Sequence, residues 1–176
     1  MPTPPPPAAS TAAEFAEAVG RAVLAWQHVE LRCAHLYVWL LDARNAQGAL
    51  ASYHAVHSQN VRTMMLKTAA HYLLQSPDFE DLSEDFEALA ENLGECSRLR
   101  NRLTHSEVAE EMTEAGWSFQ LKAPAAETAA PVKGRQRQKL APLDFAAVSG
   151  AESQFRVLAE SLHGFEEQLR ERLESL

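Results

Sequence analysis

Residues 11–41 read TAAEFAEAVGRAVLAWQHVELRCAHLYVWLL, and the spacing of their apolar side chains decides the fold class. Phe15, Val19, Ala22, Val23, Trp26, Val29, Cys33, Leu36, Tyr37 and Leu40 recur every three or four residues, the period of one helix face. Thr11 can cap the first backbone N–H groups while Glu14 reaches back from three residues on, which forms a capping box. These signals predict a long first helix that starts at this box and ends near Leu41 or Asp42.

Downstream, a turn near Arg44 and Asn45 leads into 47–57 and 60–75, two shorter helices or one kinked helix. Pro77 and Asp78 break the pattern, after which Ser83 is expected to cap a helix with Leu82, Phe86, Leu89, Leu93, Cys96, Leu99 and Leu103 as apolar positions. That helix should end near His105. Gly116–Lys122 (GWSFQLK) alternates weakly, the pattern of a strand or short β-hairpin. Residues 123–142 are poor in large apolar side chains and carry three prolines, so they read as a flexible insertion. Phe145, Val148, Phe155, Leu158, Leu162, Phe165, Leu169 and Leu173 then define a final amphipathic helix to about Ser175. The expected class is all-α: a bundle of four to five helices with a short hairpin or loop insertion before the last one.

At 176 residues the chain fits one helical domain, 11–176, that buries roughly two-thirds of its unfolded surface. Residues 1–10, MPTPPPPAAS, are proline and alanine without apolar period and read as a disordered tail. They have neither the basic start nor the apolar core of a secretory signal, and no apolar run is long enough to span a membrane. A cytoplasmic protein without membrane association is expected. Cys33 and Cys96 lie far apart among apolar helical positions and read as reduced, buried thiols. A net charge of −8 argues against a broad nucleic-acid-binding surface, so any such contact must be local.

Two charged residues fall where the helix pattern calls for apolar ones. Arg100 lies on the line through Leu82, Phe86, Leu89, Leu93 and Cys96, and Glu30 is about 40° from Trp26 on the inward face of the first helix. Burying either charge alone would cost several kcal/mol, which predicts a Glu30–Arg100 contact. A structural ion pair is the ordinary reading of such a contact, with Glu30 as a supporting residue. Arg100 could also reach water from the helix end.

The string Arg100-Asn101-Arg102-Leu103-Thr104-His105 resembles the signature of the HEPN family. That signature is an Arg followed after four to six residues by a His at a helix end, commonly with a polar residue next to the Arg. Here the gap is four and the polar residue is Asn101. The resemblance in helix order covers 11–105. It implies an obligate homodimer in which facing motif helices line one cleft, and a metal-independent endoribonuclease that needs no cofactor. The implied catalytic residues are His105 as acid or base, Arg100 as phosphate clamp and Asn101 as an orienting hydrogen-bonder, with Arg102 and Arg98 offsetting Glu107. The residue types suit the chemistry: attack by the RNA's own 2′-hydroxyl needs a proton acceptor, a proton donor and a cation for the growing phosphate charge. The expected setting is a toxin with an antitoxin partner or a phage-defence component. The alternative is a non-catalytic homodimeric binding module using the same cleft.

Other motifs carry less. His54 and His57 have helical metal-ligand spacing, but no third ligand accompanies them and no metal is expected. His28, His35, His71 and His163 share no motif, and Lys133, Arg135, Arg137 and Lys139 place a basic cluster in the insertion, read first as a solvated loop. No glycine-rich phosphate loop or nucleophile elbow is present.

Overall fold

The computed structural model describes residues 11–113, 116–124 and 141–176. Among them are five α-helices, α1 (Ala12–Leu40), α2 (Ala46–Ala55), α3 (Gln59–Leu74), α4 (Glu80–His105) and α5 (Phe145–Glu174), with strands β1 (Glu107–Thr113) and β2 (Gly116–Lys122) before α5. The tail 1–10 and most of the insertion, 125–140 with its four basic residues, lie outside the described residues.

The capping box forms as the sequence requires: the Thr11 hydroxyl accepts from the Glu14 amide, and the Glu14 carboxylate accepts from the Thr11 amide at 2.7 Å. At the other end, Asp42 takes a φ of 44°, the left-handed region that Asp tolerates better than most residues. The Asp42 and Ala43 amides then return to the carbonyls of Trp39 and Val38, which satisfies the last turn of α1.

Ser83 does not cap α4. The chain turns earlier, where the Ser76 hydroxyl accepts from the Asp78 amide and Pro77 opens a single 3-10 turn that runs directly into Glu80. Starting there lets Phe79 and Leu82 both reach the core, and Ser83 falls inside the helix. His57 likewise lies beyond the end of α2, so the helical geometry assumed for the His54–His57 pair is absent.

α1 and α5 form the most extensive helix pair among the described residues. They run parallel, as Arg21 meets Glu152, Trp26 meets Phe155 edge-on at 5.2 Å and Trp39 meets Glu166. Val29, Cys33, Leu36, Phe155, Leu158, Leu162 and Leu169 are essentially inaccessible in and around this seam. Each such Leu or Phe contributes about 1.5–3 kcal/mol, against about 0–1 kcal/mol for an exposed ion pair, so packing sets the pairing. One apolar cluster continues from this seam through α3 and α4.

The hairpin is antiparallel, with Val108 opposite Leu121 and Met112 opposite Trp117. Gly116, at a φ of 115°, makes the turn into β2 possible. Leu121 is buried, Phe119 approaches Phe15, and Leu121 and Leu143 exchange reciprocal backbone hydrogen bonds of 2.8 and 3.0 Å. Asp144 then caps α5 through the Ala147 amide.

Candidate functional site

The apolar line of α4 runs Leu82, Phe86, Leu89, Leu93 and Cys96, all buried, and the next residue on it is Arg100. Its Nη2 lies 3.6 Å from Glu30 Oε1 on α1, so the contact expected from the two helix patterns forms. At that distance it is an ion pair without a direct hydrogen bond. The two side chains are 29% and 27% exposed, so their charges are neither fully solvated nor fully buried. Two further contacts hold the guanidinium, and a third fixes its acid. The Trp26 indole N–H donates to the same Glu30 oxygen at 2.8 Å, the Arg100 carbon Cζ lies 6.0 Å from the Trp26 ring centre, and Nη1 donates to Asn101 Oδ1 at 3.1 Å. Around this group is a cavity of about 100 Å³, closed by Gln27, Leu103, Thr104 and Phe155.

His105, the last residue of α4, is exposed and borders a different cavity of about 140 Å³ with Asn101, Arg102 and Ser106. Leu121, Pro124 and Ala141 form its other wall. Arg102 donates to the Ala141 carbonyl at 2.6 Å, which ties the end of α4 to the base of the insertion. The division between the cavities follows from helix geometry. Five residues turn the helix by about 140°, so Arg100 and His105 point to different sides, while Asn101 and His105 are separated by only about 40°. Asn101 is therefore the joint: it accepts from Arg100 and lines the His105 cavity. The chain gathers an imidazole, an amide and a guanidinium at the second cavity, with the Arg100 charge held one face away.

Trp26 was legible in the sequence only as an apolar position. Its second role, as hydrogen-bond donor to the acid one turn on, was signalled by the four-residue spacing to Glu30. Beneath this pair, burial pushes the Cys33 thiol up to about 12, and the negative charge of Glu30 adds to the shift. Cys33 and Cys96 are both buried and unpaired with each other.

Among the described residues no three His, Cys, Asp or Glu side chains are grouped to hold a metal ion, and no helix is long and apolar enough to cross a membrane. Compared with protein-family models, curated proteins and solved structures, the chain matches none.

Proposed function

We propose that the chain is a HEPN-like, metal-independent endoribonuclease that works as a homodimer, its α4 helices facing each other across a composite site. The observation that carries this reading is the convergence of Asn101, Arg102 and His105 on one open cavity at the end of α4, with Asn101 also bonded to Arg100. In the reaction the RNA 2′-hydroxyl gives its proton to one imidazole and attacks the neighbouring phosphorus. The bond from phosphorus to the 5′-oxygen breaks, and the departing oxygen takes a proton from a second acid. His105 and the partner's His105 supply the two proton sites, and Arg100 with Arg102 provides positive charge for the phosphate. The biological setting we propose is a toxin held by an antitoxin protein, or a phage-defence component.

The test is incubation of wild-type and His105→Ala protein with mixed RNA in EDTA, with product ends analysed for 2′,3′-cyclic phosphate. Cleavage by the wild type alone is expected. Intact RNA in both reactions, with folding verified by circular dichroism, would overturn the nuclease reading.

A second reading is a non-catalytic homodimeric binding module, favoured by the way Glu30 and Trp26 hold Arg100 toward α1. It predicts that His105→Ala is silent while removal of the Arg100 charge damages folding or dimerisation.

A further inference from the structure

Among the described residues two ion pairs join α4 to neighbouring helices, and they are held differently. At the α5 pair, Arg172 gives three hydrogen bonds, two to the Asp81 carboxylate and one to the Asp78 carbonyl. At the α1 pair, Arg100 stands 3.6 Å from Glu30 without a hydrogen bond to it. Of the five N–H groups of that guanidinium, only one, on Nη1, has an acceptor among the described residues, Asn101 Oδ1. Arg172 is saturated as a clamp, whereas Arg100 keeps donors for an incoming acceptor.

Glu30 is provided for whether or not Arg100 stays. The Trp26 indole N–H donates to its Oε1 at 2.8 Å and the side chain is 27% exposed, so departure of the guanidinium leaves the acid hydrogen-bonded and hydrated rather than buried and unpaired. Arg100 in turn already touches the other cavity, because its acceptor Asn101 lines the space that His105 borders. Two positions of the guanidinium, beside Glu30 and beside His105, would share that amide.

We infer that Glu30 is a restraining residue: its carboxylate holds Arg100 away from the His105 cavity, and a phosphate of bound RNA displaces it by offering the guanidinium two oxygens at once. The inference rests on the proposal above that the chain binds RNA at the end of α4. Glu30 then acts on substrate only through Arg100, as a positioning residue, and Trp26 keeps the acid in place. The restraint makes RNA binding weaker than the cations alone would allow, because only the fraction of molecules with Arg100 released is competent.

The probe is a 2′-O-methyl RNA of mixed sequence and about 12 nucleotides, which keeps the phosphates but lacks the attacking hydroxyl, so binding to the full chain is read whether or not RNA is cut. Glu30→Gln retains a carbonyl acceptor for the indole and removes the charge, and it should tighten binding by roughly fivefold or more. In an Arg100→Met background the same substitution should change binding by less than about twofold, which separates release of Arg100 from the general gain of removing an acid. A second measurement leaves Glu30 untouched. With Trp39→Phe and Trp117→Phe, Trp26 is the sole tryptophan, and saturating probe should shift its emission as the guanidinium leaves the ring, but not when Arg100→Met is added. Binding unchanged or weakened by Glu30→Gln, equal tightening with Arg100→Met, a Trp26 emission indifferent to the probe, or no binding by either protein would overturn the inference. Cleavage of ordinary RNA is scored separately: coupled binding without cleavage removes the nuclease reading alone, and cleavage without the coupling removes the restraint alone.

Discussion

Trp26 and Glu30 stand one turn apart on α1, and the indole N–H of the first fixes the carboxylate oxygen of the second that faces Arg100. The acid therefore serves two partners, one polar and one charged, and its loss orphans both.

Glu30→Leu should for that reason destabilise the fold more than Arg100→Met. We expect about 1–3 kcal/mol for the first and about 1 kcal/mol less for the second, because only the first leaves the indole without its acceptor. Urea unfolding of both single variants and the double variant checks this. The double variant should lose less than the two single losses added together, and strict additivity would show that the pair is not coupled.

If the proposed nuclease reading holds, Arg100→Lys should keep the fold and lose RNA cleavage by roughly tenfold or more, since an ammonium cannot reproduce the planar fork that bonds Asn101 and that would span two phosphate oxygens. Cleavage kinetics beside a thermal melt separate the two effects. Unchanged cleavage would remove Arg100 from the proposed site.

His105→Ala, at an exposed helix end, should alter unfolding free energy by no more than about 0.5 kcal/mol. Loss of cleavage with that stability retained assigns the residue to chemistry, whereas a large loss of stability would assign it to the fold.

Cys33 should be silent toward a thiol reagent at pH 8 in the native protein and react fully after unfolding, because burial disfavours its thiolate. The sign of the pH linkage follows. The folded value is raised above the unfolded one, so this group's contribution is fully present below the ordinary thiol range. It is lost as pH rises from about 9 toward 12. Chemical denaturation across that window should show falling stability, with Cys33→Ser as the comparison.

Asp81 and Arg172 clamp the start of α4 to the end of α5 through paired hydrogen bonds of 3.1 and 2.7 Å. The guanidinium holds the Asp81 carboxyl below its usual range, so the clamp's contribution is present above the ordinary Asp value and lost as pH falls through the depressed one. Both groups are solvent-accessible, so Asp81→Asn should lower the melting temperature slightly at neutral pH and low salt, with the difference fading at high salt.

Much of this could be read from local pattern. The long helices follow from apolar spacing, and the Glu30–Arg100 contact follows from two charges on inward faces. β1 was not legible, because EVAEEMT is exposed at every position except Ala109 and so lacks the alternation that marks a half-buried strand. The early start of α4 was missed because Ser83 is a good cap by type, whereas burial of Phe79 decided where the helix begins. The separation of Arg100 from His105 was implicit in their five-residue offset. The parallel pairing of α1 with α5 was not, since nothing local relates residues more than a hundred positions apart.

That pairing has a consequence for how the chain comes into being. α1 leaves the ribosome before α5, yet the ring that packs edge-on against its Trp26, Phe155, is supplied by α5. The largest helix contact is also the most distant in sequence, so the native core cannot close during synthesis until the last long helix has emerged. Until then the nascent α1 presents an open apolar stripe, and a chain stopped at residue 142 should aggregate or be degraded rather than accumulate as a smaller folded unit.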